Sequence, residues 1–395
     1  MNMKGSMRVR APFSSSRDQW SLAGALILVA VTPVLFFSFF RMAWVAGDQL
    51  SAQVLMPIPR VMRVPPQPVR GIYLTAHTAG IPDRREALFS LVDRSELNSV
   101  VIDLKNADGT LAYATTLPFA NEYGLVAERA YAIEPVLSDA RKRGIWTIGR
   151  LVVAEDLALV RARPDLALRR RDGGVWKTRR GVPWLDPTKD AVWEYAAALA
   201  RDALRRGFDE VQFDYVRFPS DGALADAVFS EWSAEAGVPR YAIIGRHFRS
   251  LRSALGDDAV LSVDLFGMTM LRTATPEDDL GIGQRLADAL PVFDAVSPMV
   301  YPSHYPAGFE GYANPAARPA DVVAASLDAA VPMLGGSFRK IRPWLQDFDL
   351  GARYTPGMVR VQIDAVEVRG AAGWLLWNPA NRYSESALRR ENEIP

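Results

Sequence analysis

The sequence predicts a (β/α)8 TIM barrel preceded by one N-terminal transmembrane helix. From residue 69 onward, short β-branched runs alternate with stretches of helical spacing, and eight strand candidates can be counted. Such alternation implies parallel pairing, because parallel strands need long crossovers. A barrel with insertions accommodates a segment of this length as one domain. The third observation is an uncharged run from Ser21 to Phe40, long enough to cross a bilayer core. An open doubly wound sheet is the rival architecture. No GxGxxG follows the first strand to support a dinucleotide-binding version of it.

The elements follow in chain order. Residues 1–20 form a short basic tail with Lys4, Arg8, Arg10 and Arg17. Residues 21–45 form a signal anchor, with Trp20 and Trp44 near the two interfaces and Arg41 just after the run. The excess of positive charge before the run places the N-terminus in the cytoplasm. The expected address is therefore the bacterial inner membrane, single-pass, with the following domain periplasmic or extracellular. Cleavage near Val45-Ala46-Gly47 is the alternative, and it would leave a secreted domain. Residues 46–68 are rich in proline and read as an extended spacer. Residues 69–395 are the barrel. Its strands are expected at Val69–Thr75, Ser99–Lys105, Ile145–Val152, Glu210–Phe218, Val260–Phe266, Ala295–Tyr301, Arg342–Phe348 and Gly373–Asn378. Helices are expected at Arg84–Arg94, Ile133–Arg143, Lys189–Arg206 and Pro319–Ala330, with Ser384–Glu393 as the last one. A long connection from Val153 to Asp190 holds Trp176, Trp184 and many arginines. It would overhang the strands' C-terminal ends, and long ordered loops are often functional.

Composition narrows the function classes. Of 395 residues, 49% are hydrophobic and 23% charged, which is ordinary for a globular chain. The net charge of +1 gives no polycation footprint for nucleic acid. Cysteine is absent, which excludes thiol nucleophiles, thiolate metal sites and disulfides. The three histidines are His77, His247 and His304. His247 lies in an Arg-rich helical stretch and reads as a surface residue.

Barrel enzymes place their chemistry at the C-terminal ends of the strands. A carboxylate inside an apolar strand is costly unless paired or functional. Asp103, Asp214 and Asp264 all occupy such positions, on strands two, four and five. Carboxylates and amides bind sugar hydroxyls, and aromatic rings stack on sugar C–H faces. Two carboxyl groups, one ionised and one protonated, suffice for glycoside hydrolysis without a metal or organic cofactor. Asp103 and Lys105 share one strand face and are candidates to pair. Arg217 is expected either to bind substrate or to hold a carboxylate ionised. Tyr301, His304, Gln346, Trp377 and Asn378 are candidate substrate contacts at the ends of strands six to eight. Trp176 and Trp184 are expected either as loop anchors or as a subsite wall.

The run Gly207-Phe208-Asp209-Glu210-Val211-Gln212-Phe213-Asp214-Tyr215-Val216-Arg217-Phe218-Pro219 resembles the hallmark of a bacterial glycoside hydrolase-like barrel domain, formerly a domain of unknown function. GIYLTA from Gly71, VIDLKNADG from Val101, WLDP from Trp184, SVDLFG from Ser262, SPMVYPSHY from Ser297 and GWLLWNP from Gly373 support the resemblance. The family is distantly similar to alpha-amylase-type barrels. The resemblance implies Asp214 as nucleophile and Asp264 as proton donor, with Asp in place of the usual Glu. It also makes Asp347 a candidate third acid, which strand alternation turns away if Gln346 faces the pocket.

The expected function is hydrolysis of an envelope or extracellular polysaccharide by two carboxylates. Asp264, flanked by Val263, Leu265 and Phe266, is expected to have its pKa raised by desolvation. The expected partners are a polysaccharide or oligosaccharide substrate and the inner membrane, without nucleic acid. Two alternatives stand beside this. One is a non-catalytic glycan-binding barrel. The other is a metal-dependent deacetylase using His77, His304 and an Asp.

Overall fold

The computed structural model describes residues 63–335 and 338–393. The basic tail, the transmembrane anchor and the spacer up to residue 62 lie outside the described residues. Among the described residues, no helix is long and apolar enough to cross a membrane.

Eight parallel strands close a barrel: β1 (Val69–Leu74), β2 (Ser99–Asp103), β3 (Trp146–Val152), β4 (Glu210–Asp214), β5 (Leu261–Phe266), β6 (Ala295–Met299), β7 (Trp344–Gln346) and β8 (Gly373–Trp377). Each pairs with the next along the chain, and β8 closes on β1 with Val69 opposite Gly373. The closure excludes the open-sheet rival. Around it pack α1 (Pro82–Asp93), α2 (Ile133–Lys142), α3 (Asp190–Arg206), α4 (Arg240–Leu255), α5 (Pro319–Leu334) and α6 (Pro356–Glu367).

Strand alternation explains which residues reach the barrel axis. In β4, Val211 and Phe213 join the large core between strands and helices. The intervening Glu210, Gln212 and Asp214 point inward, since successive strand side chains face opposite sides. Gln212 donates to the Ser297 hydroxyl of β6, 3.1 Å across the barrel. Below it, the buried carboxylate of Glu210 accepts from Trp146 Nε1 at 3.0 Å, from Ser262 and from Arg342. Burial alone would raise the Glu210 pKa. The Arg342 guanidinium outweighs burial, helped by Ser262 and Trp146, and holds the carboxyl below its usual range. This network fills the barrel floor with polar groups bonded to one another, although Gln212 Oε1 and Arg342 Nε find no hydrogen-bond partner among the described residues.

The chain enters at that same end. Arg63 pairs with Asp209 at 2.8 Å and donates to the carbonyls of Gly144 and Ile145 at 3.0 Å. These residues immediately precede β4 and β3, so Arg63 sits opposite the strands' C-terminal ends.

Three expectations about elements need correction. The tail Ser384–Glu393 forms two 3-10 turns, Glu385–Ala387 and Glu391–Glu393, instead of a helix. Its backbone bonds non-locally: Ser384 N donates to Asp347, Arg389 N to the Glu96 carboxylate, and Glu96 N to the Arg389 carbonyl. The unit after β5 is a 3-10 stretch, Gly267–Arg272, followed by the one-turn helix Leu286–Ala289. Between β2 and α2 a small parallel pair is inserted, Leu111–Tyr113 with Val126–Tyr131. Finally, His247 is buried and stacks on Trp193 at 4.7 Å, so it is not a surface residue. Burial lowers its pKa to about 4.

Candidate active site

The C-terminal ends of the strands bring three of the predicted carboxylates around one guanidinium. Cross-strand register places Arg150 of β3 opposite Asp103 of β2 and Gln212 of β4. Asp214, two residues beyond Gln212, leans over it from above. Arg150 donates from Nη1 to Asp103 at 2.7 Å and from Nε to Asp214 at 3.0 Å. Its Nε also lies 3.9 Å from Oδ2 of Asp264 on β5. Gln212 pairs with Ser262, which sets Asp214 and Asp264 at the same level of neighbouring strands.

That shared nitrogen limits their separation. One Asp214 oxygen lies 3.0 Å from Arg150 Nε and one Asp264 oxygen 3.9 Å from it, so those two oxygens are at most about 6.9 Å apart. Asp264 is fully buried and accepts a bond from Trp344 Nε1 at 2.8 Å. Burial first, then the Asp214 charge, pushes its pKa well above the usual carboxylate range against the pull of Arg150. Asp103 is also raised, by burial that outweighs Arg150 and a bond from the Tyr73 hydroxyl.

Backbone geometry aims Asp214. The next residue, Tyr215, has φ 56, the left-handed region that a bulky L-residue rarely adopts. Its N–H turns back to donate to Asp214 Oδ1 at 2.6 Å. Strained positions of this kind cluster at functional sites and cost about 1–3 kcal/mol each. Gly267, where the chain leaves β5, meets a different demand. A Cβ there would fall 2.4 Å from the Met299 carbonyl, so only glycine lets β5 and β6 approach at the rim.

The carboxylates open into a two-lobed cleft. A deep lobe of about 400 Å³ holds Asp214, Asp264, Arg217, Tyr301, His304 and Trp344. A wider lobe of about 800 Å³ holds Asp103, Lys105, Tyr73, His77, Arg84, Glu155 and Arg382. Arg150, Tyr215 and Trp377 line both. Trp377 stacks on Tyr73 with centroids 3.9 Å apart and planes 16° apart.

Of the predicted site residues, Asp103, Asp214, Asp264, Arg217, Tyr301, His304 and Trp377 line this cleft. Lys105 does so too, but it does not pair with Asp103. It is buried against Asp156 at 2.5 Å and donates to the Val152 carbonyl at 2.8 Å. Four others serve the frame. Gln346 accepts from Ser303 N at 3.1 Å and donates to the Phe348 carbonyl at 2.9 Å. Asn378 ties its own loop by donating to the carbonyls of Asp347 and Arg382. Trp176 and Trp184 are buried together with Ala154 and Leu168, leaving no face for a subsite wall. Asp347 accepts from Ser384 and is turned away from the cleft. Sequence reasoning missed Arg150, Tyr73, Trp344 and Glu155. The inward parity of Arg150, two residues after Ile148 and four after Trp146, was the available signal.

Among the described residues, no three His, Cys, Asp or Glu side chains group to hold a metal ion. His77 and His304 line different lobes, so the deacetylase reading finds no ligand set.

A closed (β/α)8 barrel with two acids converging on a sugar-sized cavity defines a protein of the glycosidase class. Residues 71–383 match the family described as "Putative glycosyl hydrolase domain", and the chain belongs to that family. Among curated proteins, none matches. The glycoside hydrolase domain of PgaB (BpsB) from Bordetella bronchiseptica is similar at 16% identity, over 81% of this chain and 97% of its own, with a TM-score of 0.58. Alpha-L-fucosidase isoenzyme 2 from Paenibacillus thiaminolyticus is similar at 13% identity, over 80% of this chain and 47% of its own, with a TM-score of 0.54. A hypothetical protein from Ruminiclostridium thermocellum is 31% identical over 53% of this chain and 98% of its own, with a TM-score of 0.45. The first two likenesses, at low identity, bear on the fold.

Proposed function

We propose that the chain is a retaining glycoside hydrolase acting on an envelope or extracellular polysaccharide. One observation carries this reading: Asp214 and Asp264 line the same cavity within reach of a single Arg150 nitrogen. Asp264, protonated because it is buried, gives its proton to the glycosidic oxygen as the bond to the anomeric carbon breaks. Asp214 attacks that carbon and forms a glycosyl ester. Water then displaces the ester, with Asp264 taking the water proton and returning to its acid form. Tyr301 and His304 supply polar contacts to the ring in the deep lobe. Trp377 offers an aromatic surface where the two lobes meet.

Retaining enzymes hold their carboxyl groups about 5–5.5 Å apart and inverting ones about 6.5–9.5 Å apart. The limit of about 6.9 Å on the facing oxygens admits the first range and leaves out most of the second. The address belongs to the same proposal. Ser21–Phe40 anchors the chain in the bacterial inner membrane, and the barrel is exported.

The test is to incubate the full chain with a panel of bacterial polysaccharides and follow new reducing ends. The anomeric form of the first product is read by NMR. Retention is expected, and Asp214→Asn should give no product while remaining folded. An inverted first product, or an active Asp214→Asn, overturns the mechanism. One observation favours the binding-only alternative: both Asp214 oxygens are already engaged, by Arg150 and by the Tyr215 amide. Tight glycan binding without any product would select it.

A further inference from the structure

The charges of the deep lobe are matched except at Arg217. The two guanidinium groups inside the barrel, Arg150 and Arg342, each meet carboxylates. Arg217 is as buried as Arg150, with 8% of its surface exposed in each case, and it lines the lobe that holds Asp214 and Asp264. Yet it forms no ion pair among the described residues. Its Nη1 donates to the Phe218 carbonyl at 3.2 Å and to the Ser220 hydroxyl at 3.1 Å. Nε and Nη2 have no hydrogen-bond partner among the described residues.

Three rings surround the cation. Its Cζ lies 5.0 Å from the centroid of Trp184, 5.2 Å from Tyr215 and 4.7 Å from Phe266. Rings stabilise a desolvated cation in part, but they satisfy no N–H. A buried charge is ordinarily paired as well as hydrogen-bonded. Nε and Nη2 together form one edge of the guanidinium, a planar fork of parallel donors that matches the two oxygens of a carboxylate. A single fork with no second cation bound to the same point suits one planar monoanion.

We propose that Arg217 receives the carboxylate of a uronic acid residue, so that the deep lobe is a subsite for an acidic glycan. This deepens the glycosidase reading and rests on it for the location of the sugar. A neutral sugar there would leave two donors of a buried cation unsatisfied. The site would therefore discriminate by the partner it lacks.

Ligand-observed NMR titration of the full chain tests this with D-glucuronate against D-glucose and D-galacturonate against D-galactose. At least one uronate is expected to bind about tenfold tighter than its neutral counterpart, the size of effect typical of charge-assisted hydrogen bonds. Arg217→Met, which keeps an apolar chain beneath the rings, should bring that ratio close to one. Arg217→Lys should restore part of it. A wild-type ratio near one, no binding by any of the four sugars, or an unchanged ratio in Arg217→Met overturns the proposal. Glucose 6-sulfate binding as tightly as glucuronate overturns the carboxylate assignment. The wild-type ratio decides even if a variant fails to fold. Cleavage of a neutral polysaccharide alongside a ratio of one would sink the subsite and spare the hydrolase. Uronate preference without cleavage of any glycan would do the reverse.

Discussion

Arg150→Met removes the cation on which the three acids converge. In the wild type, Arg150 makes a bond of 2.7 Å to Asp103, bonds of 3.0 and 2.5 Å to Asp214, and a longer approach of 3.9 Å to Asp264. Methionine fills much of the volume but neutralises nothing. Removing one partner of a buried ion pair typically costs about 3–5 kcal/mol, because the other charge stays buried. The cost here depends on pH, since the stranded acids can take up protons. Burial already raises the Asp103 and Asp264 pKa values, and Arg150 is the charge that opposes the rise in both. In the variant both should rise further. Its folded state then holds protons that the unfolded chain has released above the ordinary carboxylate value of 3.8. Stability is therefore lost as pH rises. Urea unfolding should show a deficit of about 3–5 kcal/mol near pH 8 that narrows toward pH 5. A deficit that is absent, or that stays constant with pH, would mean that Arg150 does not neutralise these acids.

Other outcomes follow from the same geometry. Asp264 must be protonated to act as acid, so kcat/KM should fall as pH rises through its elevated pKa. That alkaline limb should be missing from the residual activity of Asp264→Asn. The same variant removes a carboxyl that resists ionisation, so its stability relative to wild type should improve as pH rises above the ordinary value of 3.8, as measured by thermal unfolding. Trp377→Ala should raise KM more than it lowers kcat, because the ring lines both lobes without touching the two acids through a hydrogen bond. Arg342→Met should cost about 3–5 kcal/mol by stranding Glu210 on the floor, and because Arg342 also pulls the Asp264 pKa down, the alkaline limb of the folded fraction should move to higher pH.

Much of the barrel was legible in the sequence because β-branched runs and helical spacing have different periods. All eight strands formed within a few residues of their expected positions. The errors fall where long-range contacts override local preference. Ser384–Glu393 has helix formers, but its N–H groups are drawn to Asp347 and Glu96. The long connection folds back on itself and uses Trp176 and Trp184 as its own core. The acids at the strand ends stood out because a carboxylate in an apolar strand is anomalous. Arg150 did not, although its inward parity was readable, because an arginine in an Arg-rich chain draws little notice until register places it opposite Asp103. Gln346 had the right parity and Asn378 the right chemistry, yet loop amides and carbonyls claim them first.

Covalent trapping addresses the pairing of the two acids. The full chain would be incubated with a set of activated 2-deoxy-2-fluoro glycosyl donors, neutral and uronic, and digested for peptide mass spectrometry. A single sugar should remain esterified to Asp214, and Asp214→Asn should take up none. A label on Asp264 or Asp103, or a label that survives Asp214→Asn, would show that Asp214 is not the nucleophile and that the cleft works by another arrangement.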